Sequence, residues 1–163
     1  MLNTKSKKVV LSFDVSSVST GWAVIKNNKP IAYGKITIEK CKSLSEKLFF
    51  FRTEVILLIC KYKPTDVVVE DTYLLNVKTL KTLMQFIGIL NESYFNLYNK
   101  TISIVSPNTV RSKFKLKGKE AVFNFIESKY SLGLDFDCGN DITDAILQGL
   151  YYYKFLMGEY NER

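Results

Sequence analysis

The chain has 163 residues, enough for one domain with its own apolar core, and its 47% hydrophobic and 24% charged content is that of a globular protein. Its 23 basic residues exceed its 16 acidic ones, and the formal charge of +7 favours anionic partners, nucleic acid foremost. Histidine is absent, which excludes Ser-His-Asp and Cys-His nucleophile systems, imidazole-ligated zinc and imidazole acid–base work. A hydrolase built from this sequence must rely on carboxylates, with a hard, oxygen-seeking cation as their natural companion.

Cys41, Cys60 and Cys138 are scattered and form no Cys-x-x-Cys. That pattern suits a reducing compartment, with each thiol expected as a small buried hydrophobe. The apolar run from Leu48 to Cys60 carries Arg52 and Glu54, and the N-terminal run is interrupted by Asp14. Neither makes a membrane span or a leader, so the reading is a cytoplasmic protein with no membrane partner. Nothing resembles a linker or a repeat, and residues 1–163 read as a single domain.

In chain order, Lys8–Val15 (KVVLSFDV) reads as a strand with Asp14 near its end. Gly21–Lys26 and Pro30–Ile38 read as two more, joined through Asn27-Asn28, a turn signal. The short connections predict an antiparallel meander. Ser43–Lys61 reads as a helix, with Leu44, Leu48, Phe51, Val55, Leu58 and Ile59 at helical spacing and Pro64 beyond its end. Asp66–Glu70 (DVVVE) is a short buried strand ending in an acid. A long helix over Val77–Tyr98, a fifth strand over Ile102–Val105, a basic stretch, and helices near Lys119–Lys129 and Asp141–Leu156 complete the order. The implied fold class is α/β: a mixed five-stranded sheet with helices on both faces.

Four acids stand out. Asp14 is a carboxylate in an otherwise apolar strand, costly unless paired or metal-bound, although a strand-end residue in a turn reads the same way. Glu70 repeats the pattern, and if the two strands are parallel neighbours both acids emerge at one sheet edge. Asp141 and Asp144, at i and i+3, share a helical face; Asn140 or Asp141 as a helix cap, with Asp144 in the first turn, is the alternative. Gathered in one cleft, four carboxylates repel one another unless cations neutralise them. Two divalent ions about 4 Å apart would do so and would clamp a phosphodiester, with Mg2+ the suitable ion.

Together these segments resemble the RuvC family of junction resolvases, within the RNase H-like superfamily, and its poxviral and bacteriophage members in particular. LSFDVSSVSTGWAVI at 11–25 resembles that family's first strand, acid, small-residue turn and Gly-aromatic second strand. VVVED at 67–71 resembles its second acidic strand, and DITDAILQG at 141–149 its last helix with an Asp-x-x-Asp pair. Ser16 and Ser17 stand where cellular members have Pro-Gly, and the segment 111–119 aligns only loosely.

The resemblance implies an RNase H-like nuclease that binds branched DNA. It would act as a homodimer, nicking opposed strands of a four-way (Holliday) junction with metal-activated water and leaving 5′-phosphate and 3′-hydroxyl ends. It further implies Asp14, Glu70, Asp141 and Asp144 as catalytic metal ligands for two Mg2+ per site (Mn2+ as substitute), and the host-cell cytoplasm for a viral or phage protein. Rival readings are a nuclease of the same fold acting on RNA–DNA hybrid or flaps, a non-catalytic nucleic-acid-binding module, and an actin-like ATPase.

Arg111, Lys113, Lys115, Lys117 and Lys119 alternate in RSKFKLKGK. In an extended segment all five would face one way and track phosphates, whereas a solvated loop is the plainer alternative. By resemblance Lys119 matches the family's basic residue near the scissile phosphate, and Tyr73 an aromatic that stacks on an unpaired base; a core tyrosine is the other reading of Tyr73. The helix over Val77–Tyr98 is apolar on more than one face, with Leu80, Leu83, Met84, Ile87 and Leu90 but also Phe86, Ile89 and Phe95. The surplus suggests a twin subunit, and a helix buried wholly within one domain is the alternative.

Overall fold

The computed structural model of the chain describes residues 8–72 and 76–157. Strands β1 (Val9–Asp14), β2 (Ser19–Lys26) and β3 (Lys29–Thr37) form the expected antiparallel meander. Asn27 and Asn28 turn the chain between β2 and β3 with φ of 52° and 57°, the left-handed pair that matches the twist of a two-residue hairpin. Pro30 is accommodated because β3 is an edge strand and the ladder is irregular at Val24/Ile25.

Helix α1 (Leu44–Tyr62) starts at Ser43, whose hydroxyl accepts from the Glu46 amide, while Glu46 accepts in return from the Lys42 amide. It ends at Lys63 in the left-handed conformation just before Pro64. Strand β4 (Asp66–Glu70) then pairs parallel with β1, and after α2 (Val77–Tyr98) the short β5 (Ser103–Val105) pairs parallel with β4. The sheet order is β3-β2-β1-β4-β5.

Alternation along the central strands sends side chains to two cores. Leu11, Phe13, Val67 and Val69 pack with Phe51, Val55 and Ile59 of α1 and with Phe86 and Leu90 of α2 on one face. Val10, Ala23, Ile25 and Val68 pack on the other against α4 (Gly118–Tyr130) and α5 (Phe136–Tyr151), through Val122, Ile126, Ala145 and Ile146. The sheet is therefore covered on both faces, as the sequence predicts. A π-helical turn, Tyr152–Leu156, continues α5.

Three expectations need correction. The basic stretch is not extended, because Pro107–Lys113 forms a helix, α3, with proline in its first turn. Helix α5 begins at Phe136, five residues ahead of Asp141, because Asp135 caps it by accepting from the Asp137 amide. The cysteines are not core residues: Cys60 and Cys138 are exposed and Cys41 is half-buried. Among the described residues no helix is long and apolar enough to cross a membrane.

Candidate active site

Parallel pairing sets Phe13 of β1 opposite Val69 of β4, so the next residue of each strand, Asp14 and Glu70, end the two strands side by side. Their parity is that of Val10 and Val68, which face α5. Both carboxyls thus emerge at the C-terminal edge of the parallel strands, on the α5 side, where open α/β sheets build their sites.

Helix α5 brings the other two acids. With Asp135 as its cap, Asp141 and Asp144 lie in the body of the helix, so the capping alternative does not describe them. Two buried bonds fasten α5 to β1: Ser12 Oγ donates to the Ala145 carbonyl at 2.6 Å, and Gln148 Nε2 donates to the Phe13 carbonyl at 3.3 Å. The second of these lands on the residue before Asp14.

Lys119, in the first turn of α4, reaches three of the acids. Its Nζ lies 3.2 Å from Asp144 Oδ2, 3.7 Å from Asp141 Oδ1 and 4.0 Å from Asp14 Oδ2. Arg111 of α3 stands 3.9 Å from the same Asp144 oxygen, and Lys35 of β3 stands 3.6 Å from Asp141 Oδ2. The Asp144 side chain is only 3% exposed, and the cations beside its Oδ2 are Lys119 at 3.2 Å and Arg111 at 3.9 Å.

The electrostatics are those of crowded anions. Burial, then the charges of Glu70 and Asp144, push the Asp14 carboxyl well above the usual carboxylate range, against the pull of Lys119. Burial and Asp144 raise Glu70 to about 7, with Arg111 and Lys119 opposing. Burial raises Asp144 as well, despite Lys119 and Arg111 beside it. Burial alone would lower the Lys119 ammonium, but Asp14 and Asp144 outweigh it and hold Lys119 above its ordinary value.

The basic residues divide into three sets. Arg111 and Lys119 join the acids. Lys115 and Lys117 line a cavity of about 530 Å3 with Arg111, Ser112, Leu116 and Gly118, beside the acids by virtue of the shared Arg111. Lys113 instead lies over the Phe155 ring, 5.6 Å from its centroid. Tyr73 lies outside the described residues.

Lys35, Ser12 and Gln148 escaped the sequence reading. For Lys35 a signal existed: the Asn-Asn turn fixes a register in which Asp14, Gly21 and Lys35 form one row across three strands.

Among solved structures, Thermus thermophilus RuvC in complex with a Holliday junction substrate superposes with a TM-score of 0.78 at 16% identity, over 93% of this chain and 96% of that one. The yeast mitochondrial Holliday junction resolvase Ydc2 superposes with a TM-score of 0.64 at 12% identity, over 94% and 85%. No protein-family model and no curated protein matches the sequence. The fold is the RNase H-like fold in the RuvC arrangement, shared over almost the whole of both chains.

Proposed function

We propose that the chain is a divalent-cation-dependent endonuclease that cuts branched DNA and resolves four-way junctions. The observation that carries this reading is the convergence of Asp14, Asp141 and Asp144 on Lys119, with Glu70 beside Asp14 at the end of the parallel strands. The fold likeness supports the substrate, since one neighbour was solved with a Holliday junction and another is named a Holliday junction resolvase.

The donor set suits Mg2+ or Mn2+: four hard carboxylates crowded at one edge of the sheet, among them the buried Asp144 side chain. Among the described residues no three such side chains form a ready-made metal cage, and Lys119 stands where their charges converge. Asp14, Glu70 and Asp144 would hold the divalent cations, with Asp141 completing the set or orienting water. Bound there, such cations supply charge neutralisation and Lewis acidity toward a phosphodiester.

The chain's own groups do the rest. Lys119, displaced from the carboxylates, steadies the scissile phosphate, and Arg111 holds Asp144 in place. Lys115 and Lys117, with Arg111, take the adjoining backbone phosphates in their shared cavity. Cleavage leaves 5′-phosphate and 3′-hydroxyl ends. Exposed Phe49 and Leu57 of α1, and Met84 and Phe95 of α2, form the contact of a homodimer whose two sites nick opposed strands.

The test is cleavage of an end-labelled four-way junction beside linear duplex, a flap and an RNA–DNA hybrid, all with Mg2+. Preferential cutting of the junction is expected. Equal cutting of every branched DNA would widen the substrate class, and cutting of the hybrid alone would replace it.

A further inference from the structure

Strand β2 runs between β1 and β3, paired on both sides, and it places Gly21 directly opposite Asp14. Gly21 has the parity of Ala23 and Ile25, which face α5. A Cβ at this position would fall 2.1 Å from the Asp141 carbonyl oxygen, 2.4 Å from the Asp141 carbonyl carbon and 2.9 Å from the Ile142 nitrogen. All three are backbone atoms of α5, so no side-chain rotation relieves the overlap. Real Cβ contacts begin near 3.0 Å, so any side chain would drive this part of α5 off the sheet by about 1 Å, since β2 itself cannot yield between its two partners.

That segment of α5 carries Asp141 and Asp144, while Asp14 stays fixed on β1. We infer that Gly21 is a positioning residue, whose missing side chain sets the distance between the Asp14 carboxyl and the Asp141–Asp144 pair and thereby the geometry in which they bind divalent cations. This rests on the nuclease reading for its effect on cleavage, but not for its effect on cation binding. A displacement of about 1 Å in a reacting constellation costs on the order of 100-fold in rate.

Gly149 provides an internal comparison. A Cβ there would meet Ile25 Cγ1 at 2.6 Å, Ser12 Oγ at 2.7 Å and Ser12 Cβ at 3.2 Å, all of them side-chain atoms. Gly149→Ala therefore overpacks the same helix–sheet contact five residues beyond Asp144, against side chains and not against backbone.

The experiment compares the parent chain, Gly21→Ala and Gly149→Ala below their melting temperatures. It measures Mn2+ affinity by electron paramagnetic resonance without DNA, and kcat and KM on a four-way junction. Gly21→Ala is expected to weaken Mn2+ binding at least 10-fold and to lower kcat about 100-fold with KM for DNA nearly unchanged. Gly149→Ala is expected to lose stability but keep both values within about three-fold. If Gly21→Ala does not fold in buffer, all three proteins are compared in trimethylamine oxide, which favours the compact state.

Equal losses in the two variants, unchanged Mn2+ binding in Gly21→Ala, or failure of that variant to fold even in osmolyte would each overturn the inference. If the parent binds Mn2+ without cutting DNA and only Gly21→Ala loses the ion, the positioning role stands and the nuclease reading falls.

Discussion

Replacing Glu70 by Gln keeps the shape of the side chain and removes a charge from a crowded site, and the protein without divalent ions should become more stable for it. Burial and Asp144 raise the Glu70 carboxyl from 4.5 to about 7 in the folded chain. The folded state therefore holds this proton more tightly than the unfolded one. The stabilising difference is complete below about pH 4.5 and is lost as pH rises through about 7. At about 1.4 kcal/mol per pH unit the ionised folded state bears at most about 3.5 kcal/mol, which solvent reaching this half-buried group reduces to roughly 1–2 kcal/mol.

Glu70→Gln should thus melt about 2–8 °C above the parent at pH 8 in EDTA, given roughly 2–4 °C per kcal/mol for a domain of this size. The gap should close by pH 4. Adding Mn2+ should narrow it at pH 8, because the parent gains more from binding the ion. The assay is thermal denaturation followed by circular dichroism across pH 4–8, with and without Mn2+. A variant no more stable than the parent at pH 8 in EDTA, or a gap that widens on acidification, would refute the reasoning.

Lys119→Met should tighten Mn2+ binding by about 10-fold, roughly 1.4 kcal/mol, because an ammonium 3.2–4.0 Å from three carboxylates competes for them, while cleavage falls; titration calorimetry and a junction assay read the two effects. Lys115→Ala with Lys117→Ala should weaken binding to all branched DNA alike and lower the salt-dependence slope by about 2, roughly one per phosphate contact, in affinity measurements from 50 to 200 mM salt. Met84→Glu with Phe95→Glu, at positions 50% and 48% exposed, should turn a dimer into monomers in sedimentation velocity while the far-ultraviolet circular dichroism spectrum stays that of the parent.

The legible part of the fold was the part set by local chemistry. Apolar, β-branched runs marked β1 and β4, Asn27-Asn28 fixed the hairpin, and helical spacing delimited α1. Two acids closing two apolar strands were visible as a pair because parallel pairing leaves both at one edge. The start of α5 was hidden because its capping residue, Asp135, stands in a segment, LGLDFDCGN, whose glycines and aspartates read as loop. Helix α3 was hidden by its own alternation: RSKFKLKGK satisfies a two-residue period, but Pro107 at the first helical turn and the left-handed Lys115 divide it into helix, turn and helix. Lys113 parts from Arg111 because residues two apart on α3 face different sides, and from Lys119 because the turn at Lys115 lies between their helices. Ser12 and Gln148 acquire their roles only through contacts more than 100 residues apart in sequence, which no local pattern carries.

The central claim is that these acids, charged with divalent cations, cut junction DNA. Its most direct test is a four-way junction labelled on opposed strands, incubated with the parent chain and with Asp14→Asn, in Mg2+ and in EDTA, with binding followed by gel shift. The account predicts paired, symmetric nicks from the parent in Mg2+ alone, and an Asp14→Asn protein that binds the junction and leaves it intact. Cleavage by Asp14→Asn, or cleavage by the parent in EDTA, would contradict it.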